Sequence, residues 1–187
     1  IASNTSITRL VFQWGRTRLA TFNDTGHLGP RNRTVEYHLS QGTPMVALVR
    51  HGRTRANTEQ RWQGRGDWPL DEEGMRQAEL LGRWYGQHPT VYASPLKRAM
   101  STAEKVALDG VTPVPGLQEM YMGDWEGLTT TEIHERWPQD MEAIYEYGVD
   151  LRRGTTGESW GELTARVSNT IAALDPAEGE PTVVVAQ

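Results

Sequence analysis

Met45 to Thr54 reads MVALVRHGRT, a short apolar, β-branched run that ends abruptly in two guanidiniums, an imidazole and a glycine. Met45 to Val49 has the make-up of a buried strand, so Arg50, His51 and Arg53 emerge together at its C-terminal end. Open α/β sheets gather their ligands at that edge. Gly52 permits a sharp turn and close backbone approach, and the planar forks of Arg50 and Arg53 suit phosphate oxygens. Taken alone, the motif is also an ordinary strand followed by a basic turn, since three residues recur by chance.

The remaining pattern decides between these readings. Asp71 or Glu72 opens a helix that runs to about Gln87, with Met75, Ala78, Leu81 and Tyr85 at helical spacing and His88-Pro89 stopping it. Thr90 to Ala93 is a second strand. Ser94-Pro95 reads as an N-cap followed by proline at the first helical position, with the helix continuing to about Leu108. A third strand is expected near Val111 to Val114. Short helices over Thr129–Trp137 and Asp140–Tyr147 are separated by Pro138. A long amphipathic helix over Glu158–Leu174 turns Leu163, Val167, Thr170, Ile171 and Leu174 inward, and Thr182 to Ala186 (TVVVA) is typical of a central parallel strand. The alternation predicts an α/β fold with a mainly parallel central sheet and helices on both faces.

Ahead of this unit, residues 7–22 read as two strands joined at Trp14-Gly15-Arg16, an edge hairpin. Residues 29–44 are a connector rich in turn formers, with a weak strand near Thr34 to Leu39; His27 and His38 read as exposed loop histidines. Arg55 to Leu70 reads as an irregular binding loop.

Composition removes several function classes. With 187 residues, 37% of them hydrophobic and 7 Trp among them, the expectation is one packed domain over 1–187. A net charge of -5 gives no global attraction to nucleic acid or to an anionic membrane, so any anion site must be a local concentration of arginine. There is no cysteine, which excludes thiol nucleophiles and permits a reducing compartment. No apolar run approaches the ~20 residues of a membrane span, and Ile1 to Leu10 lacks a signal-peptide core, so the expectation is a soluble, cytoplasmic protein.

In a parallel sheet, residues following different strands converge at one edge. Arg50, His51 and Arg53, then Arg98, then Glu119 could therefore face one pocket. A neutral imidazole can attack phosphorus, arginines can neutralise the equatorial oxygens, and a carboxylic acid can protonate the leaving alcohol. No metal ligand is required. Each residue also has a plainer reading: Arg98 could pair with Glu104, and Glu119 could be an exposed loop acid, as Asp124 and Glu126 are expected to be.

RHGRT with Asn57 six residues after His51, WQGRGDWPLDEEGMRQAELLG, SPLKRAMSTAE, LQEMYMGDWEGLT and TTGESWGELTARV together resemble the histidine phosphatase superfamily, also called phosphoglycerate-mutase-like, from about Val46 to Ala186. The resemblance implies that His51 is the phosphorylated nucleophile and Glu119 the proton donor. It also implies that Arg50 and Arg98 are phosphate clamps, that Asn57 is a further phosphate donor, and that Gln63 and Gly64 belong to the substrate loop. Arg53 stands where the family often has Glu and is expected at the rim. Trp62, Trp68 and Trp125 are expected as pocket wall or loop packing.

Two features depart from the family. It has a second histidine in a His-Gly turn after a strand like TVVVA, a place Gln187 occupies here, and Asn4 to Leu28 resembles the family's C-terminal strands although it precedes the RHG strand. The order looks circularly permuted, with a crossover of about two dozen residues, the length of a βαβ connection, not found between them. That leaves a reordered or partial sequence, a permutant lacking the second histidine, or a site completed by a neighbouring chain. The compact QEMYMGDWEGLTTTEI stretch resembles the phosphatase branch, so metal-independent hydrolysis of a small phosphorylated metabolite, without a cofactor, ranks first. A non-catalytic phosphate-binding or regulatory domain ranks second and a phosphoglycerate mutase third; homo-oligomerisation is open.

Overall fold

The computed structural model describes residues 7–13, 16–24, 42, 45–174 and 181–187. Six strands form one sheet: β1 (Ile7–Gln13), β2 (Arg16–Asp24), β3 (Met45–Arg50), β4 (Val91–Ala93), β5 (Thr112–Pro113) and β6 (Thr182–Ala186), in the spatial order β2-β1-β3-β6-β4-β5. The β3, β6, β4 and β5 strands are parallel, while β1 pairs antiparallel with both β2 and β3, leaving β2 at the edge. His27, His38 and the strand expected near Thr34 to Leu39 lie outside the described residues.

Among the described residues six α-helices accompany the sheet: α1 (Arg55–Thr58), α2 (Glu72–Tyr85), α3 (Lys97–Ala103), α4 (Thr130–Arg136), α5 (Pro138–Tyr145) and α6 (Trp160–Ala172). Side chains alternate across a pleated strand, which divides the core in two. Ala47, Val49, Val183 and Val185 pack with Leu81 of α2 and with Ala99 and Ala103 of α3. On the opposite face Val46, Leu48 and Val184 meet Leu117 and Ile171 of α6. A satellite cluster of Met120, Met122, Trp125, Ile133 and Met141 closes the side that carries α4 and α5.

Several boundaries differ from the sequence expectation. The α3 helix starts at Lys97 and ends at Ala103, without a side-chain cap from Ser94. Ser94 still belongs to the sheet edge, where its N–H donates to the Val185 carbonyl (2.9 Å), so the chain must turn before a helix can begin. Gly86, at φ +87°, stops α2 ahead of His88-Pro89. Pro138 opens α5 instead of separating it from α4, its missing N–H costing nothing at a first helical position. The β5 strand is only two residues long and exposed. The stretch read as wholly irregular contains α1, held by a capping box in which Thr54 and Asn57 satisfy each other's backbone N–H groups. The inward face of α6 is half-buried, with no residue fully enclosed.

One packing contact fixes the start of the functional edge. A Cβ on Gly74, in the first turn of α2, would lie 1.9 Å from the Arg53 carbonyl oxygen, and one on Gly52 would lie 2.5 Å from the Gly74 carbonyl oxygen. The RHG turn therefore touches α2 backbone to backbone. Alanine at position 74 would gain helix propensity of about 1 kcal/mol over glycine, but neither carbonyl is the flexible end of a side chain. The expected net result of Gly74→Ala is a loss of ~3 kcal/mol in urea unfolding, the upper range for overpacking. An unchanged midpoint would show that the turn does not depend on this contact.

Candidate active site

The sheet register brings the functional residues to one edge. Arg50 pairs with Ala186 and Ala93 with Val185, so β3, β4 and β6 end at the same level. The His51 N–H continues the ladder by donating to the Ala186 carbonyl (3.0 Å). Beyond those ends the chain leaves the sheet at His51, Ser94 and Gln187, and the Gln187 Nε2 donates to Ser94 Oγ (3.2 Å).

His51 is 1% exposed. Its Nδ1 lies 2.6 Å from the Gly52 carbonyl oxygen. A carbonyl can only accept, so Nδ1 carries the proton and Nε2 keeps its lone pair. Burial, and then the Arg98 guanidinium, push the imidazole down from an ordinary 6.5 to about 3; the Gly52 carbonyl opposes this and Arg50 adds to it. His51 is neutral at ordinary pH.

Arg98 is fully buried, and it donates from Nη1 to the Gly66 carbonyl (2.8 Å) and from Nη2 to the Gly64 carbonyl (2.8 Å). The alternative pairing with Glu104 is not made. Arg98 thus braces the 64–66 turn while its charge acts on both His51 and Glu119. Thr54 Oγ1 lies 2.9 Å from Asn57 Oδ1 and 2.8 Å from Gln63 Oε1. With Oδ1 committed to the cap, the Asn57 amide turns its donor end the other way.

Glu119 borders a cavity of about 380 Å³ between α6 and the sheet, shared with Arg50, Gln187 and the apolar side chains of Leu117 and Val184. Burial pushes its carboxyl up, against the Met120 N–H and the Arg98, Arg50 and Arg166 guanidiniums that favour the charged form. His51 and Arg98 are not among the residues that line this cavity.

The arginine expected at the rim is there: Arg53 is held outward by Asp71 (2.8 Å) with 40% of its side chain exposed. Trp125 is fully buried and meets Trp62 edge to face at 6.0 Å, loop packing as expected. Glu126 is not the exposed acid expected from sequence, because its Oε1 accepts the Arg65 N–H (2.6 Å) and staples the two loops. Sequence reasoning also missed Thr102, whose hydroxyl accepts the Gly52 N–H (3.0 Å) and donates to the Arg98 carbonyl (2.8 Å). That hydroxyl couples the RHG turn to α3. Glu158 and Arg166 were read only as helix residues, yet they form a two-pronged ion pair, 2.8 Å on each prong, against the segment that carries Glu119. Their eight-residue separation at the start of an amphipathic helix was the available signal. No group of three or more His, Asp or Glu placed to hold a metal ion occurs among the described residues, and none of their helices is long and apolar enough to cross a membrane.

Residues 46–187 match the family model described as histidine phosphatase superfamily (branch 1). A metal-independent phosphoserine phosphatase of Arabidopsis thaliana is 33% identical over 148 residues, covering 75% of this chain and 62% of that protein. An adenosylcobalamin/alpha-ribazole phosphatase of Salmonella typhimurium is 36% identical over 136 residues, covering 68% and 65%. The chain thus spans just under two thirds of the length of these curated relatives. Among solved structures, an alpha-ribazole phosphatase from Shigella flexneri aligns with TM-score 0.66 at 28% identity over 75% of this chain and 72% of that one. A mycobacterial glucosyl-3-phosphoglycerate phosphatase complexed with VO3 aligns with TM-score 0.65 at 30% identity over 76% and 75%.

Proposed function

Since the chain belongs to branch 1 of the histidine phosphatase superfamily, we propose that it hydrolyses phosphate monoesters of small metabolites through a phosphohistidine on His51, without a metal. The observation that carries this reading is the tautomer of His51: its Nδ1–H is spent on Gly52, leaving a neutral Nε2 beside two arginines. Relatives named as phosphatases of phosphoserine and alpha-ribazole support hydrolysis as the reaction. A relative named phosphoglycerate mutase-like protein 4, at 32% identity, leaves mutase chemistry as the lesser alternative.

In the first step the Nε2 lone pair forms a bond to phosphorus as the bond from phosphorus to the ester oxygen breaks. Glu119 gives its proton to the departing alcohol. Arg50, on the wall of that cavity, and Arg98, whose buried Nε has no partner among the described residues, take the phosphoryl oxygens. The Asn57 amide supplies a further donor, while Gln63 and Gly64 shape the loop that Arg98 braces. In the second step Glu119, now ionised, takes a proton from water as the water oxygen attacks phosphorus. The bond from phosphorus to nitrogen breaks, inorganic phosphate leaves, and both side chains return to their starting states.

The 1–187 chain is read as one domain in circularly permuted order. The pairing of β1 with β3 supports this, because residues outside the family match join the same sheet as those within it.

The test is to mix the protein with p-nitrophenyl phosphate in the presence of a chelator, quench in alkali, and locate phosphate by mass spectrometry. Chelator-resistant turnover with an alkali-stable, acid-labile phosphate on His51 is expected. Saturable phosphate binding without turnover would replace the proposal with the non-catalytic binding domain.

A further inference from the structure

We infer that Glu158 and Arg166 are positioning residues for Glu119: their ion pair clamps the 116–121 segment onto α6 and so fixes where the proton donor stands. The inference rests on the reading of Glu119 as that donor. The segment needs such a clamp because it belongs to no strand, and its carbonyls must find partners elsewhere. Arg166, in the second turn of α6, donates Nη1 to the carbonyls of Gly116 (2.8 Å) and Gln118 (2.9 Å), and Nη2 to the carbonyl of Glu119 itself (3.3 Å). The same guanidinium forks onto both oxygens of Glu158, through Nε and Nη2 at 2.8 Å each.

Glu158 completes the clamp from the other side. Its Oε2 accepts the Tyr121 N–H (2.9 Å), and its own N–H donates to the Tyr121 carbonyl (2.8 Å). Backbone groups of Gly116, Gln118, Glu119 and Tyr121 are therefore tied to one ion pair. The two side chains are only 21% and 16% exposed, which shields them from the screening that weakens surface pairs. Glu158 also accepts from Arg65 Nη2 (2.9 Å), and Arg65 lies between the two residues, Gly64 and Gly66, whose carbonyls hold Arg98. One carboxylate thus sets the distance between the acid-bearing loop and the loop braced by Arg98.

A residue that only stabilises the fold would affect every substrate equally, whereas one that places a proton donor matters only when the leaving group needs a proton. The experiment compares propyl phosphate with p-nitrophenyl phosphate, whose phenolate departs unprotonated. Wild type, Glu158→Gln and Arg166→Met are tested, with Arg166→Lys as a fourth protein that keeps the charge but not the fork. In the variants kcat/KM for propyl phosphate is expected to fall about 10²-fold, the lower range of general-acid contributions. For p-nitrophenyl phosphate kcat/KM should change less than about 3-fold while kcat falls, because Glu119 is still needed as base in the second step. Arg166→Met should also move the alkaline limb for propyl phosphate to higher pH, since the lost cation favoured ionised Glu119. Equal losses of kcat/KM on both esters, in variants that unfold at the wild-type temperature, overturn this inference and leave the phosphatase reading standing. A wild type inert toward both esters overturns the phosphatase reading and the inference with it. Should Arg166→Met fail to fold, Glu158→Gln carries the comparison, as the amide keeps the volume and an acceptor for Tyr121.

Discussion

His51→Ala is expected to lower turnover of any phosphate monoester on the order of 10⁴-fold or more, because no other group replaces the nucleophile and residues acting as a unit fail together. Alanine removes the atom that would bond to phosphorus. It leaves Arg50 on the cavity wall and Arg98 bound to the Gly64 and Gly66 carbonyls. Binding of inorganic phosphate should therefore persist, and titration calorimetry on the variant separates lost chemistry from lost binding. The fold should tolerate the change, and acid should then destabilise it less. Between pH 6.5 and about 3 the unfolded chain takes up a proton on this imidazole that the folded chain refuses, so wild-type stability falls as pH drops through that window. Alanine removes that slope. Turnover comparable to wild type in the alanine variant would dismiss the phosphohistidine mechanism.

The parts of this site that were legible in the sequence are those set by local rules. A β-branched run followed by Arg-His-Gly identifies a strand end. Alternation of strands and helices implies a parallel sheet, whose strand ends then meet at one edge. What was hidden depends on contacts between distant segments. Ser94-Pro95 has the local form of a helix start, but the Ser94 N–H is taken by Val185, ninety-one positions later, and the helix waits until Lys97. Gly74 is unremarkable in its own neighbourhood, and only the approach of the Gly52 turn to its helix shows that neither glycine can carry a side chain. Arg98 shows a third kind of hidden contact: its place in the motif suggests a phosphate clamp, but not that one N–H of each Nη braces the 64–66 turn while the buried Nε is left without a partner among the described residues.

Glu119→Gln should separate activity from stability in opposite directions. Glutamine cannot donate a proton in the first step or accept one in the second, so kcat for an alkyl phosphate should fall roughly 10²- to 10⁴-fold. Its effect on the fold follows from the sign of the shift. Burial raises the Glu119 carboxyl above its ordinary 4.5, so at intermediate pH the folded chain holds a proton that the unfolded chain has released. The stability that comes with that proton is present below 4.5 and is lost as pH rises through the folded value. Above that value the wild type must keep a charge in a place that disfavours it, opposed only in part by Arg98, Arg50 and Arg166. The amide has no such cost. Relative to wild type, the variant's unfolding midpoint should rise as the pH is taken upward from 4.5. The activity of the wild type should fall as pH rises and its acid ionises. Parallel pH dependence of stability in the two proteins would mean that Glu119 ionises as freely in the fold as in water, and a group of that kind could not serve as the proton donor near neutrality.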